Sequence, residues 1–168
     1  MQAAIDAGWA VDTVGVRNIT EADTINLDTG LTIVETTRSF PMSARGGEVF
    51  AWEFYAETLN PVKLLILAPA EDRGFELVGE SPLVVPPRPG VHRIALPEPI
   101  PVDFRYKFAI FMPEASSVPF RKVLNWKTLI RQSPFERPYT AREGFSMYGW
   151  RYAVRVFWRK AAPPEVTL

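Results

Sequence analysis

Residues 48–69, EVFAWEFYAETLNPVKLLILAP, put Phe50, Trp52, Phe54 and Tyr55 into six positions. After an Asn-Pro step the segment resumes with Val62, Leu64, Leu65, Ile66 and Leu67. Side chains of this kind at this density favour strand, and a period of two sorts them onto two faces. Phe50, Trp52, Phe54 and Ala56 fall on one side, and Val49, Ala51, Glu53 and Tyr55 on the other. Both sides are largely apolar, as is VKLLILAP, which reads as the return strand after a turn at Asn60-Pro61. An antiparallel sheet with one wet face leaves such a pair exposed. The pair therefore belongs in the middle of a sheet covered on both sides, by a second sheet and by a further layer. A long connection of the chain, a tail or a neighbouring molecule would each serve, and Tyr55, Leu65 and Leu67 are the side chains expected to meet it.

The same rhythm continues. LTIVETTRSF follows the LDTG turn at 27–30, and FELVGES, PLVVPP, GVHRIALP and YKFAIFMP are short, apolar and fenced by Pro or Gly. In YGWRYAVRVFWRK, Tyr152, Val154, Val156 and Trp158 share one face, while Arg151, Arg155 and Arg159 share the other with Ala153 and Phe157. Eight or nine strands, spaced by roughly 8–12 residues, imply an all-β protein. The expected architecture is a two-sheet antiparallel β-sandwich, jelly-roll-like, and the 16 prolines suit strand ends and edges. Residues 26–160 form that single domain, between an N-terminal arm at 1–25 and an extended tail at 161–168. A short helix is expected around Gln2–Ala7. Residues 113–149 form a long connection before the last strand. Within it Ser117 is placed to cap a short helix carrying Val123, Trp126 and Ile130 on one face, and a strand over 121–131 competes with that helix.

Much chemistry is missing. The 168 residues contain no cysteine and one histidine, His92, so thiolate and multi-histidine metal sites are excluded. A Ser-His-Asp triad would have to use that one mid-strand residue. Glu53, Glu57, Glu76, Glu80, Glu98, Asp103 and Glu114 sit in or at the ends of strands, where a charge blocks edge pairing, and their spacing singles out no catalytic pair. The DTG tripeptide at 28–30 is an ordinary turn before a strand, and RGGE at 45–48 lacks the lysine and helix of a phosphate loop. No cofactor is implied, and no catalytic residue is singled out. The segment MQAAIDAGWAVDTVG does not read as a signal peptide, and no apolar run approaches the roughly 18 residues of a membrane span.

The positive feature is an interleaving of cations with rings. Fourteen of the 21 aromatic residues lie after position 100. Residues 117–168 hold 10 basic against 3 acidic residues, whereas residues 1–116 hold 9 against 16. Arg121, Trp126, Arg131, Arg137, Tyr139, Arg142, Tyr148 and Trp150 are the candidate binding residues. Flat rings stack on sugars or bases, and guanidinium groups grip anions. A protein surface, an anionic glycan and, less well, a nucleic acid all fit this chemistry. A core of rings with solvated arginines as partners fits it too. The two halves make the molecule dipolar if they separate in space, and cancel if the strands interleave.

The order AWEFYA, VKLLILAP, FELVGES, GVHRIALPEPIPV, YKFAIFMPE, over residues 48–114, resembles a module of secreted and surface-attached lectin-like β-sandwich proteins. The resemblance rests on packing residues, so it implies a fold rather than an activity. Relatives of that kind usually carry Gly-Asp where this chain has VDFRYKF. The functional expectation is a non-enzymatic structural β-sandwich, at a virion or cell surface, that assembles with itself or with a larger particle as a decoration, spike or fibre-attachment subunit. A carbohydrate-binding module using the 113–150 segment is the alternative.

Overall fold

In the computed structural model, which describes residues 11–161, the alternating segments form thirteen strands. They are β1 (Val11–Gly15), β2 (Leu31–Glu35), β3 (Gly47–Ala56), β4 (Lys63–Pro69), β5 (Phe75–Glu80), β6 (Gly90–Val102) and β7 (Lys107–Met112). The remainder are β8 (Phe120–Lys122), β9 (Thr128–Arg131), β10 (Tyr139–Thr140), β11 (Ser146–Tyr148), β12 (Trp150–Tyr152) and β13 (Val154–Lys160). All pairings are antiparallel. One sheet runs β1-β13-β3-β6, a second runs β10-β5-β4-β7-β2-β9-β11, and β8 pairs with β12 in a separate ribbon. Helical structure among the described residues is limited to single 3-10 turns at Met42–Ala44 and Glu71–Arg73. The chain is all-β, a two-sheet antiparallel β-sandwich. Trp52 and Phe54 from the four-stranded sheet meet Leu64, Ile66, Phe108 and Ile110 from the seven-stranded sheet in one shared core.

The Asn60-Pro61 step does not make the expected hairpin. It carries the chain from one sheet to the other, so β3 lies between β13 and β6 while β4 lies between β5 and β7. Asn60 Nδ2 donates to the Ala115 carbonyl at 3.0 Å, and Val62 exchanges two backbone hydrogen bonds with Val84, which holds the crossing in place. Val62–Val84 is an isolated bridge, so PLVVPP is not a full strand. The expected single strand at 148–160 is broken at Ala153 into β12 and β13, and β1 turns part of the expected N-terminal arm into a sheet edge paired with β13. The expected helix around Gln2–Ala7 and all but the first residue of the 161–168 tail lie outside the described residues.

The helix considered over 121–131 is absent. Arg121 and Lys122 belong to β8 and Thr128–Arg131 to β9, and Asn125 between them has φ 65°. A left-handed residue there ends any helix, and both flanks find strand partners in β12, β2 and β11.

A bulge also corrects the two faces of β3. Phe157 pairs with Ala51 and Trp158 with Val49, so Phe50 is the extra residue opposite them. The parity therefore changes at Phe50: Val49, Trp52, Phe54 and Ala56 enter the core, and Phe50 turns outward. There its ring lies 6.5 Å from Phe157 and beneath the Arg159 guanidinium at 4.6 Å. Arg93 covers Phe157 at 4.6 Å. Buried Glu53 accepts from Arg93 Nε at 3.0 Å and from Arg155 Nε at 2.9 Å. Cations laid over rings, and a carboxylate between two guanidiniums, thus cover the outer side of β3.

The outer side of β4 is covered differently. Leu65, Leu67, Val34, Ala109 and Leu129 form a second cluster with Phe75, Phe135 and Phe145. Phe135 and Phe145 come from the 113–149 segment, which is not a plain connection but supplies β9, β10 and β11 to the seven-stranded sheet and lays these two rings over its outer face. That leaves no outside contact to explain Leu65 and Leu67, while Tyr55 packs against the main core.

The charge halves interleave. β13 from the basic half sits between β1 and β3, and β9, β10 and β11 flank β5, β4, β7 and β2. Arg155–Glu53, Arg151–Glu21, Arg159–Glu48 and Arg137–Glu80 then pair one half with the other.

Candidate functional site

The eight candidate residues do not converge. Tyr148, Trp150 and Arg131 line one cavity of about 230 Å³ with Asn26, Asp28 and Gln132. Arg137 pairs with Glu80 and lines a second, of about 180 Å³. Arg142 lines a third, of about 480 Å³, and Tyr139 lies against Gly74 on its margin, donating its hydroxyl to the Glu71 carbonyl at 3.2 Å. A β-carbon on Gly74 would come within 2.5 Å of the Tyr139 hydroxyl, so only glycine admits this contact. Trp126 lines a fourth, of about 220 Å³, with Arg17, Arg38, Glu21 and Arg151. Arg121 lies 4.0 Å from Glu21.

The rings are mostly occupied by their own chain. Trp150 is stacked on one side by Phe120 and on the other by Tyr148, each with centroids 4.3 Å away. Buried Trp126 lies near the guanidiniums of Arg38 at 5.7 Å and Arg151 at 5.3 Å. Tyr148 and Tyr139 are the exposed rings of the set.

Trp126 leads to a residue that spacing did not reveal. Its Nε1 donates to Glu35 Oε2 at 2.8 Å, and Glu35 Oε1 accepts from the Thr37 and Arg38 amides at 2.7 and 3.3 Å. Burial raises the Glu35 carboxyl from 4.5 to about 7, and those bonds and the Lys107 charge pull only partly back. The folded value lies above the unfolded one, so folding favours the protonated acid. The associated stability is complete below about pH 4.5 and disappears as the pH rises through about 7, a loss of about 3 kcal/mol. The difference in urea unfolding free energy between wild type and Glu35→Gln is therefore expected to change by about that amount between pH 4.5 and pH 8. A difference independent of pH would contradict this.

His92 Nε2 donates to the Arg88 carbonyl at 2.6 Å, and its ring lies 5.8 Å from Phe54. Glu53 and Glu80 are engaged by arginines. Among the described residues no group of three His, Asp or Glu side chains is arranged to hold a metal ion, and no helix is long and apolar enough to cross a membrane.

The strand ends differ in character. At the end where β3 finishes and β4 and β6 begin, Leu59, Leu83, Val85 and Val91 are exposed. Pro82, Pro86, Pro87 and Pro89 stiffen the loop between β5 and β6, and Arg88, Glu57 and Glu114 supply exposed charges of both signs. At the opposite end, where β4 finishes and β7 begins, Arg73, Arg105 and Lys107 from the acidic half of the sequence meet Arg142. Strand order brings these groups together, and no local motif announces either. No family model, no curated protein and no solved structure matches this chain.

Proposed function

We propose that the protein is a non-enzymatic structural β-sandwich that works by docking, with its aliphatic end buried against a second copy of the chain as one contact of a larger assembly. The observation that carries this reading is the set of Leu59, Leu83, Val85 and Val91, four large aliphatic side chains exposed at one end. Grouped aliphatic residues with a polar rim characterise interaction surfaces, whereas scattered ones do not. The rim carries exposed charges of both signs, Arg88 with Glu57 and Glu114, as a self-complementary two-fold contact requires. The prolines of the loop reduce the entropy lost on docking.

Sedimentation velocity over a wide concentration range tests this. The wild type is expected to associate, and Leu83→Asp with Val85→Asp to shift it to monomer with unchanged far-ultraviolet circular dichroism. A wild type that remains monomeric at the highest concentration, or association unaffected by the two substitutions, would contradict the reading.

One observation favours a second reading, glycan binding. The exposed Tyr148 ring borders the cavity that also presents Asn26, Asp28, Gln132 and Arg131. Amide and carboxylate groups beside a ring suit a sugar. Retention of a glycan on an array, lost in Tyr148→Ala, would support it; an array without a ligand would count against it.

A further inference from the structure

At the end of the sandwich opposite the aliphatic group lies a cavity of about 480 Å³, within the range of roughly 300–1,000 Å³ that suits small-molecule sites. Phe75 and Leu129 give it apolar walls, and Arg73, Arg105, Lys107 and Arg142 line it with cations. No acid is among the described residues that line it. Elsewhere on the molecule Arg137, Arg151 and Arg155 each reach a glutamate. Among the described residues, no carboxylate lies within ion-pair distance of any of the four cavity cations. Arg142 Nη1 donates to the Phe145 carbonyl at 3.4 Å, and the Arg105 guanidinium lies 5.1 Å over the Phe104 ring.

Two further features mark the site. Arg73 has φ 58° and Arg105 has φ 69°, so both hold a left-handed backbone that arginine rarely adopts. Such strain persists where surrounding structure demands it, often around a ligand. Burial also lowers the Lys107 ammonium from its ordinary value, against the pull of Glu35. An anion in the cavity would relieve that cost.

Four cationic residues around one cavity are more than a monocarboxylate needs, and a phosphate monoester brings close to two negative charges and several acceptor oxygens that match arginine forks. The walls leave room for more than the head group. We propose that this cavity binds an organic phosphate monoester with an apolar or aromatic body, the phosphate held by Arg73, Arg105, Lys107 and Arg142 and the body lying on Phe75 and Leu129. The site lies at the other end of the molecule from the docking surface and does not depend on it.

Isothermal titration of the full chain at low salt with 1-naphthyl phosphate, inorganic phosphate and 1-naphthol tests this. The ester is expected to bind one to one, with the head group alone and the body alone each weaker by about tenfold or more. Arg73→Asn and Arg105→Asn are suitable variants because asparagine tolerates the left-handed backbone, so the fold is retained. Each is expected to weaken the ester about tenfold, whereas Arg45→Asn, outside the cavity lining, leaves it unchanged. Three results would each overturn the proposal: an ester held no more tightly than 1-naphthol, inorganic phosphate held as tightly as the ester, or both asparagine variants binding like wild type.

Discussion

Trp52→Ala is expected to lower the unfolding free energy by about 4 kcal/mol and the melting temperature by roughly 10 °C. Trp52 is fully buried, its Cα partners are Val156 of β13 and Ile94 of β6, and its ring stacks on Phe54 with centroids 4.8 Å apart. It is the largest fully buried side chain among the described residues, so truncation removes a large transfer term and leaves a cavity between the two sheets that cannot easily collapse. Its Nε1 has no hydrogen-bond partner among the described residues, an arrangement worth about 1–3 kcal/mol against folding. Trp52→Phe removes that orphan donor while keeping most of the ring. Its cost is expected to be well under half that of the alanine variant in urea denaturation. Equal losses for the two variants would show that the indole nitrogen is satisfied or that the ring is not central.

Phe145→Ala should produce the next largest loss, about 3 kcal/mol. Phe145 meets Phe75 edge to face, with centroids 5.9 Å apart and planes at 80°, and lies under the Arg131 guanidinium at 5.1 Å. Without it one of the two rings that the long connection lays over β4 is gone. Phe135→Ala opens the same cluster from the other side. Because the two rings share neighbours, the double variant should depart from the sum of the singles by more than about 0.5 kcal/mol. A loss near zero for Phe145→Ala in equilibrium unfolding would mean that the connection does not seal the sheet.

Both effects concern how the apolar surplus of residues 48–69 is hidden, and they mark what could be read from the chain. Alternation identified β3, β4, β5, β7 and the last strand, because a period of two is a local property. It also led to the right requirement, a cover on both faces. It did not reveal which strands pair. β3 and β4, ten residues long and seven residues long, read as a hairpin because only a turn separates them, yet β3 pairs at long range with β13 and β6, while β4 pairs with the following strand β5 and with the more distant β7. The bulge at Phe50 was illegible for a similar reason: one extra residue reverses the faces without changing the local pattern. In 121–131 the apolar spacing at Val123, Trp126 and Ile130 suited a helix, and pairing of β9 between β2 and β11 overrode it.

The candidate site was less legible still. Interleaved rings and cations after position 117 marked residues that work mainly for the fold, with Trp150 stacked between two rings and Trp126 bound to Glu35. The cavity cations Arg73, Arg105 and Lys107 come from the half of the sequence whose net charge is negative. Only the antiparallel order of β4, β5 and β7 gathers them beside Arg142. The likeness to lectin-like modules rested on packing residues of β3 to β7, which speak to layers and not to ligands.

Because the chain contains no cysteine, a single introduced thiol reports the burial of one position directly. Leu64→Cys faces the core between the sheets, and Leu65→Cys faces the cluster under the long connection. If residues 132–145 cover the outer side of β4, both thiols should react with a soluble disulfide reagent only as fast as the structure opens. Leu65→Cys should then become fast when Phe135→Ala and Phe145→Ala are added. A Leu65→Cys thiol that reacts at the rate of an exposed cysteine while Leu64→Cys stays protected would show the outer face to be open, and would contradict the account.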